Sequence, residues 1–207
     1  MWTLTSDNLK ISRGQYDLSW DNFTYRFEQG CLYHIQGRNG IGKTSLLRCL
    51  AGYFKADSGE IHLSYQGQSD NLPYEKPIAY LGHHILLDLS WTVAENIYYY
   101  SGLLDVGQTG YGDYLKTAFH LQDLWDIPCQ YLSFGQKKRV AFCIFFSQKR
   151  AVYLLDEILT GLDSKALQIM DEFLKILLPE SIVLLVHHGA LPPLWQHPQK
   201  SVILGTV

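Results

Sequence analysis

Apolar positions along this chain fall into two alternating rhythms. Short apolar runs at 31–36, 60–64, 77–81, 152–155, 181–186 and 201–205 read as strands. Stretches with apolar residues three and four apart, at 44–51, 93–102, 111–120, 133–147 and 164–177, read as helices, with a short one near 191–196. Several of the strand runs have no polar alternation, as expected of parallel strands buried on both faces. The first thirty or so residues differ. Stretches 16–20 and 23–27 alternate apolar and polar, which suits antiparallel strands with one wet face. The pattern predicts an α/β fold: a mostly parallel sheet core preceded by an N-terminal antiparallel β layer. Between 85 and 127 no strand pattern is visible, and the helical spacing there and in 133–147 predicts a helical subdomain at about 85–150, inserted in a single domain spanning 1–207.

Two of these strands end in groups that do chemistry. The run 31–36 leads into Gly37-Arg38-Asn39-Gly40-Ile41-Gly42-Lys43-Thr44-Ser45, which fits G-x-x-x-x-G-K-[ST], and a helix follows. Glycines in such a loop let the backbone turn its N–H groups inward, and with the helix N-terminus these form an anion nest. Lys43 supplies a mobile positive charge for the β- and γ-phosphates of a nucleotide, and Thr44 a hydroxyl for Mg²⁺. The strand 151–155 ends in Asp156 and Glu157. Ligands of open parallel sheets bind at the carboxyl ends of strands. There Asp156 is placed to hold Mg²⁺ and Glu157 to polarise a water against the γ-phosphate.

A third motif, Leu132-Ser133-Phe134-Gly135-Gln136, opens a predicted helix. Ser133 suits an N-cap, and the free N–H groups and dipole of that end suit a phosphate. Together the motifs resemble the ATP-binding cassette (ABC) ATPases, in which an L-S-G-G-Q-type signature lies between the phosphate loop and the Asp-Glu strand. The resemblance covers nearly the whole chain and implies a P-loop NTPase fold of the ABC type, with ATP and Mg²⁺ as ligands and ATP hydrolysis as the activity. It also implies roles for residues that spacing alone does not single out. Thr160 to Asp163 looks like the family's dimer-contact loop, and His188 like the histidine that contacts the γ-phosphate, with His187 as the fallback. His84 stands where the family usually has a metal-bridging Gln, and Ile158 where a Pro usually follows the Asp-Glu pair. An imidazole can ligate a metal or hold a water, although its reach is shorter and it titrates near pH ~6.5. Tyr16, with Trp20 as rival, is the candidate for stacking on adenine. The family's logic further implies a working homodimer, ATP lying between the phosphate loop of one copy and Ser133 to Gln136 of the other.

Within that family, Gly42 to Arg48, Leu50 to Gly52, Tyr80 to His83, and Leu132 to Gln136 with Arg139 to Ala141 resemble the ATPase subunits of bacterial cytochrome c maturation complexes, also called heme exporter ATP-binding subunits. That implies a peripheral protein on the cytoplasmic face of the inner membrane, partnered with polytopic membrane subunits and releasing a heme-loaded chaperone. Their cytoplasmic helix is expected to dock on the helical subdomain, around Leu86, Leu87, Leu89, Trp91 and Tyr98 to Tyr100. No Cys or His pattern points to direct heme binding. A transport ATPase for lipids, peptides or small molecules would carry the same chemistry. Non-transport members in DNA repair or translation usually add a coiled coil or a second cassette.

Composition narrows the partners. A net charge of −3 argues against nucleic acid, although Lys137-Lys138-Arg139 could form a local basic patch. The densest apolar run, 140–146, is too short to span a bilayer, and the N-terminus has no signal-peptide pattern, so a soluble protein is expected. Cys31, Cys49, Cys129 and Cys143 show no metal-ligand spacing and read as reduced thiols. His83-His84 and His187-His188 are adjacent pairs, which on a strand point to opposite faces.

Overall fold

The computed structural model describes the chain except for residues 13–21, 71, 75–76, 83–86, 102–110, 148, 163 and 206–207. Eight strands and five α-helices lie within the described residues: β1 (Trp2–Lys10), β2 (Phe23–Glu28), β3 (Leu32–Gln36), α1 (Lys43–Leu50), β4 (Ser58–Tyr65), β5 (Ile78–Leu81), α2 (Val93–Ser101), α3 (Tyr111–Ala118), α4 (Phe134–Phe146), β6 (Val152–Asp156), α5 (Ser164–Leu177), β7 (Ile182–Val186) and β8 (Gln199–Ile203). They group into two compact units. One comprises Met1–His83, Arg150–Ile158 and Leu174–Val207; the other comprises His84–Lys149 and Leu159–Phe173.

The first unit holds both sheets. Five strands in the order β5-β6-β7-β3-β8 pair in parallel throughout. Strands β6 and β7 are buried along their whole length and β3 all but its last residue, whereas β5 and β8 at the edges are partly or largely exposed. Val and Leu runs suit the inner strands because a parallel strand flanked on both faces has no wet side. The second sheet, β2-β1-β4, is antiparallel. A core of Leu4, Leu9 and Phe27 from this layer, Ile35, Leu154 and Leu184 from the parallel sheet, and Leu46, Leu47 and Leu50 from α1 joins the layers.

The second unit is helical, with no strand among its described residues. Helix α2 begins with a capping box: Glu95 N–H donates to Thr92 Oγ1 (3.2 Å) and Thr92 N–H donates to Glu95 Oε2 (2.7 Å). The fully buried Asn96 accepts from the N–H of Asp88 and donates to carbonyls of Asp88 and Thr92, which ties the preceding loop to this helix. Phe119, Phe146 and Phe173 stack with centroids 4.4–6.4 Å apart and are all buried.

Four expectations change. Strand β1 was not foreseen, and β4 belongs to the antiparallel layer as its partner. Strand β8 lies two residues earlier than the apolar run suggested. No helix forms over 191–196; Trp195 N–H closes a single turn onto the carbonyl of Pro192 at 2.9 Å. Pro192 and Pro193 have no N–H to give, and Pro193 disfavours the helical conformation at the residue before it. The predicted strand at 16–20 falls largely outside the described residues. Among those residues no helix is long and apolar enough to cross a membrane, and all four cysteines are buried free thiols.

Truncating Phe146 to Ala should cost about 3–5 kcal/mol, because its buried ring packs on both Phe119 and Phe173 and its removal leaves a cavity between them. Urea denaturation would check this, and a loss under about 1 kcal/mol would contradict it.

Candidate active site

The parallel register brings the ends of β3, β6 and β7 together. Ile35 pairs with Val186, and Val186 with Asp156. The next residues along the three strands are Gln36, His187 and Glu157, so the glycine loop, the carboxylates and the paired histidines leave the sheet at one edge.

The loop from Gly37 to Gly42 connects β3 to α1. Gly37 has φ +152°, and a Cβ there would stand 3.0 Å from Ile41 Cγ2 and 3.1 Å from the carbonyl oxygen of Leu204, closer than side chains are normally found. Gly42 adopts the left-handed conformation at φ 104° and serves as the N-cap of α1, with no side chain capping that end. The first-turn N–H groups therefore carry the helix's positive end unsatisfied by a cap. Lys43 is buried, and its Nζ donates to the carbonyls of Gly37 (2.9 Å) and Arg38 (3.1 Å). The ammonium thus curls back over the loop that the motif describes as a phosphate cradle.

Asp156 is buried at the end of β6. One carboxylate oxygen accepts from Thr44 Oγ1 at 3.1 Å and the other from the hydroxyl of Tyr80 at 2.9 Å. That hydroxyl accepts in turn from Arg48 Nε at 3.2 Å. Burial pushes the Tyr80 hydroxyl above its ordinary range, against the lowering effect of Arg48. Arg48 on α1 and Tyr80 on β5 thus form a relay that fixes the carboxylate from behind. Sequence reasoning missed both roles. The available signal was that Tyr80 sits near the carboxyl end of the strand beside β6, paired with Leu154.

Glu157 leaves the strand with φ 53°. For a residue with a Cβ this backbone costs about 1–2 kcal/mol, and such strain concentrates at functional sites. Its N–H is held by the carbonyl of Val186 at 2.9 Å. The turn aims its side chain at His188, whose Nε2 lies 2.9 Å from Glu157 Oε1, both groups being partly exposed. The direct partner of Glu157 is thus His188, the first choice of the two histidines. The ring of His187 is half-buried, and its Nδ1 is buried with no hydrogen-bond partner among the described residues. Burial, then the neighbouring His34 and His188, lower the pKa of His187, with Glu157 opposing. His34 on β3, also missed by sequence reasoning, reaches the main chain of His187.

The signature lies in the second unit. Ser133 is the N-cap of α4 in a reciprocal capping box: its Oγ accepts from Gln136 N–H (3.2 Å), and Gln136 Oε1 accepts from Ser133 N–H (2.7 Å). The Ser133 hydroxyl proton remains able to donate. Phe134 is 57% exposed, and a Cβ on Gly135 would meet nothing within 4 Å. Lys137 to Arg139 do not form a basic patch. Lys138 is buried and donates to the carbonyl of Thr160, with its ammonium 5.0 Å from the Phe134 ring, and Arg139 binds the carbonyl of His120 at 3.2 Å. Burial lowers the Lys138 pKa. Two of three cations are thus spent inside the unit. Tyr16, Trp20, His84 and Asp163 lie outside the described residues.

The ABC transporter family profile matches residues 20–160. The cytochrome c biogenesis ATP-binding export protein CcmA of Dechloromonas aromatica is 32% identical over 99% of this chain and 97% of its own length. The protein of the same name from Nitrobacter winogradskyi is 36% identical over 77% of this chain and 78% of its own. A solved ATP-binding subunit of an ABC transporter superposes with a TM-score of 0.81 over 97% of this chain and 85% of that one, at 21% identity, a likeness of fold. The chain belongs to the ABC transporter family and is one of its ATP-binding, ATP-hydrolysing members.

Proposed function

We propose that this chain is the ATP-hydrolysing subunit of a membrane ABC complex that serves cytochrome c maturation, where it drives release of a heme-loaded chaperone. The observation that carries this reading is the near full-length match to a protein named for cytochrome c biogenesis, at 32% identity. The whole chain acts as a single ATP-binding domain, peripheral to the cytoplasmic face of a bacterial inner membrane and docked on polytopic subunits. It binds neither nucleic acid nor heme directly.

The site residues take the following roles. Gly37 to Ser45 cradle the phosphates, and Lys43 exchanges its two carbonyl partners for phosphate oxygens. A charged partner makes the stronger hydrogen bond. Thr44 and Asp156 would hold Mg²⁺. Their hydroxyl and carboxylate oxygens suit a hard cation that keeps waters and phosphate oxygens in its remaining positions. When bound, the ion neutralises phosphate charge. Glu157 orients and polarises the attacking water, and His188 positions Glu157 and reaches the γ-phosphate. Outside the described residues, His84 is assigned to the metal's surroundings, Tyr16 to adenine and Asp163 to the dimer contact.

Ser133, Phe134, Gly135 and Gln136 face the nucleotide of a second copy. The open space around Gly135 supports this, since no described residue lies within 4 Å of a Cβ placed there. Hydrolysis therefore needs a homodimer.

Purification of the tagged chain from detergent-solubilised membranes, followed by mass spectrometry, tests the assignment. Heme-handling membrane subunits should accompany it; an unrelated permease would overturn the cytochrome c reading and retain the transport one. The Glu157→Gln variant should keep ATP affinity within about threefold, lose turnover by at least about 10²-fold, and accumulate as an ATP-bound dimer on size exclusion. Normal turnover in that variant would assign water activation elsewhere.

The lowered pKa of His187 predicts an acid sensitivity. A group whose folded pKa is depressed leaves stability intact above its ordinary value of 6.5, and stability falls as pH drops from there through the folded pKa. The denaturation midpoint should decline from pH 7.5 to 5.5, and His187→Leu should flatten that decline. An unchanged slope would show that other groups carry the proton uptake.

A further inference from the structure

His34 is an anomaly in the sheet. It lies on β3, between β7 and β8, with only 4% of its surface exposed, among strands otherwise built from apolar residues. Burying an imidazole there is favourable only when both ring nitrogens find partners. Both do. Nε2 lies 3.1 Å from the carbonyl oxygen of His187, and Nδ1 lies 2.9 Å from Gln36 Nε2. A carbonyl can only accept, so Nε2 carries the proton. The Gln36 amide then donates to the Nδ1 lone pair, which fixes this tautomer.

The group that His34 holds is significant. The carbonyl of His187 belongs to the peptide joining His187 to His188, one residue past the end of β7. It lies beyond the β3–β7 ladder, whose last pair is Ile35 with Val186. Fixing that oxygen fixes the peptide plane, and the plane sets the direction in which the His188 side chain leaves the backbone. His188 then meets Glu157 at 2.9 Å.

We propose that His34 is a positioning residue for ATP hydrolysis: from within the sheet it holds the His187 carbonyl, with Gln36 fixing its tautomer, and so aims His188 at Glu157 and the γ-phosphate. This rests on the role given above to His188. Buried within the sheet, His34 acts through the next strand's main chain.

Steady-state ATPase assays with Mg²⁺ on the full chain test this, each variant paired with its melting temperature. His34→Leu should lower kcat roughly tenfold while KM for ATP stays within about twofold, as for lost alignment rather than lost binding. Its melting temperature should fall modestly, because the His187 carbonyl and the Gln36 amide each lose a hydrogen-bond partner, so kcat is compared at a temperature where every variant is folded. His34→Gln keeps an amide N–H at similar reach and should recover most of kcat. His34→Asn, equally polar but shorter, should not, and this pair keeps the test decisive should the Leu variant fail to fold. In a His188→Ala background, His34→Leu should cause no further loss. Unchanged kcat in His34→Leu, equal kcat in the Gln and Asn variants, or a full tenfold loss on top of His188→Ala would overturn the proposal. Full turnover in His188→Ala alone would instead overturn the role of His188, and this inference with it.

Discussion

The parallel ladder β6-β7-β3 is the constraint on which the remaining chemistry depends. Its cross-strand rows run Leu155, Leu185, His34 and then Asp156, Val186, Ile35. In that register the carboxylates, the histidine pair and the glycine loop leave the sheet within one residue of each other. A slip of one residue would turn every side chain on the moved strand to the opposite face. It would also break the grip of Val186 on the Glu157 N–H. The apolar runs on β6 and β7 are buried on both faces, so the runs themselves do not mark the register; the polar contacts at their ends, Thr44 to Asp156 and Glu157 to Val186, do.

Features that are unfavourable one by one gather at that edge. Glu157 sits in a left-handed backbone, Asp156 and Lys43 are buried, and His34 occupies an apolar strand position. Each is compensated by a specific partner rather than by solvent. Asp156 receives two hydroxyl donors, Lys43 two carbonyls, Glu157 a strand carbonyl and an imidazole. Buried polar groups of this kind are favourable only as a set, because removing one partner leaves another exposed to the low-dielectric interior. The relay from Arg48 through Tyr80 extends the set to the helix that follows the phosphate loop, so the carboxylate at the end of β6 and helix α1 are tied through one phenol.

What could be read from the sequence was what is encoded locally. The phosphate loop, the strand ending in Asp156-Glu157 and the N-cap at Ser133 each depend on residues a few positions apart, and helices α2 and α5 announced themselves by the spacing of their apolar residues. The missed features depend on distant partners. Strand β1 reads as polar because Thr3, Ser6 and Asp7 interrupt it; Ser6 is buried only because its hydroxyl exchanges hydrogen bonds with the main chain of Tyr25. Its bulge at Asn8, with φ 49°, breaks the alternation further. Lys138 looked like part of a basic patch until the carbonyl of Thr160 appeared beside it. Tyr80, Arg48 and His34 carry ordinary residue types, and only the register gives them tasks.

The capping box at Ser133 shows why two readings of one motif need not compete. A Ser hydroxyl accepts and donates at once. Accepting from Gln136 N–H fixes the oxygen at the mouth of α4, and its proton stays free for an anion. Gln136 meanwhile occupies the Ser133 N–H, so the serine is held from both sides before any partner arrives. Holding a contact group in its working rotamer removes the entropy that association would otherwise cost. The exposed Phe134 and the unobstructed Gly135 lie on the same turn. A cap that merely ended the helix would need neither. The first turn of α4 is therefore a pre-organised and unobstructed surface, with the cap as the means of its rigidity.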